Sequence, residues 1–233
     1  MDIPKIFHFV WVGNSPISEE NLRWMRSWTH FNSDWKSILW MENPQHYDGF
    51  EIRAFPTLVN QRFYNEIETW VAGRAAIASR SDIVRMEVIA RFGGLYLDTD
   101  VECFKPLETL LNNAKLAYFD EWGPRNGNYA FCAVPNHPAT WTAVRELGLW
   151  LASHEKPFCA LDATGPNYLA PRLRAHPDCV IFPHMIFNPL TARADHNKVT
   201  SWPEVSIANH HYQGTWYDQT LVAPPEEFLQ GDK

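Results

Sequence analysis

No stretch of this 233-residue chain approaches the ~18 consecutive apolar residues of a membrane-spanning helix. The one apolar stretch near the start, Ile6 to Val12, is short, contains His8 and runs into Gly13-Asn14. It reads as a strand rather than an export signal, so the expectation is a cytoplasmic protein with at most peripheral membrane contact. Cysteine is sparse: Cys103, Cys132, Cys159 and Cys179 stand far apart and form no CxxC pair. That spacing argues against a zinc or redox motif and for reduced thiols. Basic residues are outnumbered, 20 Lys and Arg against 27 Asp and Glu, for a net charge of -7. This argues against wide contact with a phosphate backbone, and no nucleic-acid partner is expected. A small anionic substrate remains open, because a bound metal can reverse the sign within a site. With no repeat, low-complexity tract or linker, residues 1–233 read as one domain.

What is present is an alternation of strand and helix signals. Ile3 to Val12 and Lys36 to Met41 read as buried strands, and Ser18 can cap a helix from Glu19 to Phe31. Pro56 is placed to open a helix. A long helical pattern runs from Val71 to Phe92, with Gly93 expected as a left-handed stop after Arg91. Leu95 to Leu97 follow as a strand. Further strands are expected near Lys115–Phe119, Tyr129–Val134, Val180–Phe182 and Val205–His210, with a helix opened by Pro138 running to about Ser153. The order implies an α/β fold with a mostly parallel central sheet flanked by helices.

The segment GGLYLDTDVECF, Gly93 to Phe104, carries the chemistry. If Asp98 to Glu102 is extended, alternate side chains share a side, so Asp98, Asp100 and Glu102 gather there. Carboxylates so placed repel by roughly 1 kcal/mol each even in water, and a divalent cation removes the penalty. Oxygen ligands suit magnesium or manganese. A solvated turn is the plain alternative for a bare DxD. Upstream, Asp82 and Arg85 stand three apart on one helix face, which alone describes a surface ion pair. Their helix ends just before the acids, however, so they can line the same pocket, where arginine and aspartate would grip phosphate and sugar hydroxyls. Near the end, NHHYQGTW offers His210 and His211 as metal ligands and Trp216 as a cover for a flat ligand.

IPKIFHFVWVG, ASRSDIVRMEVIARFGGLYLDTDVE, NYAFCAVPNHP, TGP and HHYQGTW together resemble glycosyltransferase family 32, the DxD-type sugar transferases. That family includes fungal α-1,6-mannosyltransferases and bacterial polysaccharide enzymes, and its first blocks are similar to the catalytic domain of clostridial glucosylating toxins. The resemblance implies a GT-A nucleotide-diphospho-sugar transferase fold. It also implies a nucleotide-sugar donor (UDP- or GDP-linked), a glycan or lipid-linked acceptor, and Mn2+ or Mg2+ as cofactor. Carried over by position, Val10 and Trp11 meet the donor base, and Asp82 with Arg85 grips the sugar and phosphates. Tyr96 lies against the same site, and Asp98 contacts ribose or sugar and the metal's water shell. Asp100 ligates the metal, His210 joins it, and Thr215 and Trp216 close over the diphosphate. Asn128 belongs to the catalytic set, while Thr164 and Gly165 shape the acceptor side.

Retaining hexosyl transfer in bacterial surface polysaccharide synthesis is the activity this implies. The compact chain lacks the helical insertions that the toxins add, which places a toxin-like transferase with a protein acceptor second. An aspartyl phosphatase also uses DxD after a strand, but Glu102 stands where such enzymes place a small hydroxyl or valine. A non-catalytic nucleotide-sugar or glycan binder is the remaining rival.

Overall fold

The computed structural model describes residues 2–121, 127–154, 159–191 and 201–213. Its strands, in chain order, are β1 (Ile6–Trp11), β2 (Lys36–Met41), β3 (Glu51–Ala54), β4 (Gly94–Leu97), β5 (Val101–Cys103), β6 (Leu116–Phe119), β7 (Ala130–Ala133), β8 (Cys179–Phe182) and β9 (Ala208–His210). Seven form one sheet in the order β3-β2-β1-β4-β7-β6-β8, and β5 pairs with β9 separately. The β1, β2, β3 and β4 strands run parallel, and only β7 opposes its neighbours. The expected mostly parallel sheet is borne out.

Two apolar layers fill the faces, and alternation along the strands assigns the side chains to them. Phe7, Phe9, Leu95 and Leu97 lie in one cluster with Leu22, Met25 and Trp28 of α1 (Glu19–Phe31). Val10 and Tyr96 point the other way, into the layer under α3 (Ala75–Phe92), α4 (Pro138–Ala152), α5 (Ala160–Ala163) and α6 (Pro166–Arg174). Burying each large side chain is worth about 1.5–3 kcal/mol, so α1 is held by its Leu22-Met25-Trp28 stripe far more than by helix propensity. Its start is local chemistry: the Ser18 side chain accepts the Asn21 N–H at 3.1 Å.

Three expectations are corrected. Pro56 opens no helix; α2 (Gln61–Glu66) begins after Asn60. The reason is Glu87, fully buried on α3, whose carboxylate accepts the N–H of Val59 at 2.7 Å and of Asn60 at 2.8 Å and holds those two residues in a turn just before α2. The long helix starts at Ala75 rather than Val71, because Gly73 turns the chain with φ 62. Of the expected Val205–His210 strand only Ala208–His210 pairs, and it pairs with β5 outside the main sheet.

Gly93 ends α3 at φ 64, ψ -160, a region open essentially to glycine alone and not the left-handed helical region that was expected. A Cβ there would sit 2.6 Å from Pro135 Cδ and 2.8 Å from the Ala133 carbonyl oxygen. This close passage drops β4 straight from α3 between β1 and β7, so both Asp82 and Asp98 arrive at one end of the sheet.

Candidate functional site

The parallel strands β1 and β4 finish at the same edge, and β7 begins there with Ala130 opposite Leu97. Ligands bind at such carboxyl edges in α/β sheets. Here Asp98, Thr99 and Asp100 are not extended as expected; they form a turn closed by Val101 N–H to the Asp98 carbonyl at 3.2 Å. The turn still gathers Asp98 and Asp100, and it adds His210. Their ligand atoms all lie within 4.8 Å of one another. Glu102 does not join them: it sits on β5 and bonds His211 Nε2 at 2.9 Å. His210, not His211, faces the acids, with Nε2 3.4 Å from Asp100.

Beneath the turn lies a buried ionic network. Arg85 reaches Asp98 at 2.9 Å and Asp82 at 3.4 Å, donates to the Asn128 carbonyl at 3.0 Å and lies 4.5 Å from the Tyr96 ring centroid. Asp82 accepts from Asn128 Nδ2 at 2.8 Å and from the Thr164 hydroxyl at 2.9 Å. Tyr96 donates to Asp98 at 2.6 Å. The surface-pair reading of Asp82 and Arg85 is therefore corrected, since both are more than nine-tenths buried. Fully buried ion pairs need supporting hydrogen bonds to offset desolvation, and both partners have them here.

Burial pushes the Asp82 carboxyl above its ordinary range against the pull of Arg85, Thr164 and Asn128. Burial works against the Arg85 cation too, but Asp98, Tyr96 and Asp82 outweigh it and hold the guanidinium charged. Burial likewise disfavours the Asp100 carboxylate; His210 and the Gln213 N–H, 2.9 Å away, reverse that and hold the acid below its ordinary range. His210 is raised in return, since Asp100 overcomes its desolvation.

Of the remaining expected site residues, Val10 is buried in the core and Trp11 stands half-buried at the strand end, bonding the Ser15 carbonyl at 2.7 Å. Gly165 is the residue before α6, and a Cβ on it would meet the Ala160 carbonyl at 2.8 Å, so its part is close packing beside Thr164. Thr215 and Trp216 lie outside the described residues.

Two carboxylates and an imidazole suit manganese or magnesium, and the largely buried His210 has a ring nitrogen, Nδ1, without a hydrogen-bond partner. A second cluster, His137, His176 and Asp178, lies at the opposite end of the sheet. There both Nδ1 atoms accept backbone N–H groups, from Ala139 and Asp178, each at 3.2 Å. That leaves the protons on Nε2, the wrong tautomer for holding a metal through that atom.

Residues 18–124 match the family model described as a glycosyltransferase sugar-binding region containing a DXD motif. The chain is 26% identical over 232 residues to inositol phosphoceramide mannosyltransferase 3 of Schizosaccharomyces pombe, covering 93% of this chain and 56% of that one. It is 24% identical over 170 residues to mannosyl phosphorylinositol ceramide synthase CSH1 of Saccharomyces cerevisiae, covering 72% and 42%. The chain thus spans about half the length of these curated relatives. Among solved structures, PaToxG glycosyltransferase superposes with a TM-score of 0.60 at 19% identity over 74% of this chain and 68% of that one. The UDP-bound glycosyltransferase domain of the YGT toxin gives 0.53 at 10% identity, over 74% and 77%. These structures carry the fold, which is the GT-A fold.

Proposed function

We propose that this protein moves a hexose from a nucleoside diphosphate sugar to an acceptor hydroxyl, a reading supported by the match of residues 18–124 to the DXD-containing sugar-binding region of glycosyltransferases. The observation that carries the reading is the meeting of Asp98, Asp100 and His210 above the buried Arg85–Asp82 pair. Asp98, Asp100 and His210 would hold Mn2+ or Mg2+. When bound, the cation supplies Lewis-acid stabilisation to the leaving diphosphate.

The chain's own groups do the rest. Arg85 cannot lose its proton, and its planar fork, fixed by Asp82, Asn128 and Asp98, presents fixed positive charge beneath the DxD turn. Fixed charge needs no reorganisation as negative charge grows on a leaving group. Asp82 is spent on holding Arg85 and on bonding Asn128 and Thr164, so its role is positioning and sugar-hydroxyl recognition rather than attack. No second carboxylate is placed as a nucleophile among the residues of this network, which favours same-face delivery of the acceptor hydroxyl and retained configuration.

The fungal relatives are named for a mannosyl donor and a ceramide-based acceptor. Those names support a lipid-linked hydroxyl over a protein side chain as acceptor, and a mannosyl donor as the first to try. The test is incubation with nucleotide-hexoses, Mn2+ and inositol phosphoceramide or a polyprenyl-linked saccharide, read by mass increase. A hexose added with wild-type protein and none with Asp100→Ala is expected. Equal product from both proteins would refute the assignment.

A further inference from the structure

We propose that Glu102 and His211, backed by Trp24, are positioning residues that set the affinity of the cation site, an inference that rests on the reading of Asp98, Asp100 and His210 as its ligands. Asp100 closes a turn with no regular structure of its own, so something else must fix where its carboxylate points. The fixing comes from the segment after β9. His211 donates its backbone N–H to the Asp100 carbonyl at 2.9 Å, and Gln213 donates its own to the Asp100 carboxylate at 2.9 Å.

That segment is in turn held by side chains with no part in the acid cluster. His211 Nε2 bonds Glu102 on the neighbouring β5 at 2.9 Å, and the imidazole stacks on Trp24 of α1 at 4.1 Å between centroids with 9° between planes. Gln213 also reaches Glu20 on α1 at 3.2 Å, and Asn21 of the same helix bonds Thr99 within the DxD turn at 3.2 Å. The first two turns of α1 thus form one floor under both halves of the site. The adjacent histidines divide the work: His210, the last residue of β9, faces the acids, and His211, just beyond the strand, anchors the segment through Glu102. Outer groups that orient metal ligands are worth 10–100-fold in affinity when removed.

The experiment titrates Mn2+ alone into the full chain and follows the free ion by electron paramagnetic resonance, with a thermal melt of each variant alongside. His211→Phe keeps a ring against Trp24 but removes the bond to Glu102; Glu102→Ala removes the same bond from the other side. Both are expected to weaken Mn2+ binding about 10–30-fold. Glu102→Gln leaves an oxygen for the Nε2–H and is expected to bind within about 3-fold of wild type, a recovery that a purely structural role would not produce. If His211→Phe does not fold, Glu102→Ala decides. Wild-type Mn2+ affinity in Glu102→Ala, whatever its melting temperature, overturns the inference, provided Asp100→Ala has lost binding. Should Asp100→Ala bind Mn2+ as tightly as wild type, the site reading itself fails.

Discussion

Replacing Arg85 by methionine removes a charge from the middle of the buried network while keeping a long side chain in its place. Asp82, already pushed up by burial, then loses its cation and keeps only the Asn128 and Thr164 bonds. Breaking a buried pair by deleting one partner costs about 3–5 kcal/mol. At about 2–4 °C of melting temperature per kcal/mol for a domain of this size, the fall should be roughly 6–20 °C. The second half of the cycle isolates the cause. Asp82→Asn in the Arg85→Met background keeps an oxygen for Asn128 and offers an amide to the Thr164 hydroxyl, so it should restore most of the lost stability. Urea unfolding of the two single variants and the double variant at pH 7.5 supplies the coupling energy, expected at 2 kcal/mol or more. A single-variant loss under about 1 kcal/mol, or strictly additive losses, would refute the claim that these residues form one desolvated unit. Activity would stay lost in the double variant, which separates stability from chemistry.

His8 yields a pH prediction. It is fully buried, accepts the Trp40 indole N–H on Nδ1 at 2.9 Å, and burial lowers its pKa from 6.5 to about 3. A depressed histidine is neutral when folded and charged when unfolded between those values, so its contribution is complete above pH 6.5 and declines as pH falls, by about 1.4 kcal/mol per unit. Urea unfolding at pH 5 should show about 2 kcal/mol of loss from this group, absent from His8→Gln; identical slopes in both proteins would contradict it. Gly93→Ala should cost about 2 kcal/mol or more, from the positive φ and the 2.6 Å approach to Pro135, and thermal unfolding measures it. Glu87→Ala, which leaves Val59 and Asn60 without their acceptor, should cost about 1–3 kcal/mol while the local stretch before α2 loses its hydrogen-exchange protection. Thr164→Val should leave the fold intact and weaken donor binding several-fold, because it removes the donor to Asp82 Oδ2 and loosens the carboxylate whose other oxygen pairs with Arg85.

The parts of the molecule written in short-range patterns were legible. Ser18 as a cap, the Leu22-Met25-Trp28 stripe and the apolar run of β2 marked α1 and β2 to the residue, while β1, expected over Ile3–Val12, spans only Ile6–Trp11. Asp82, Arg85, Asp98, Asp100 and His210 were named from motif and resemblance, and the structure brings them together. What escaped depends on partners far away in the chain. Pro56 looked like a helix start because nothing local reveals that Glu87 already holds the next N–H groups. The DxD segment looked extended because its turn is set by β5 pairing with β9, more than a hundred residues later. Glu102 looked like a third ligand for the same reason: only the arrival of His211 shows that it is engaged elsewhere. A glutamate two places beyond the DxD and a second histidine beside His210 were visible in the sequence, but no spacing rule links them.

The most direct measurement is whether the protein splits a nucleotide-sugar only with a divalent cation at Asp100. Release of nucleoside diphosphate from nucleotide-hexoses should stop on adding a chelator, return with excess Mn2+, and be lost in Asp100→Ala. Hydrolysis that continues unchanged in the chelator and in the variant would contradict it.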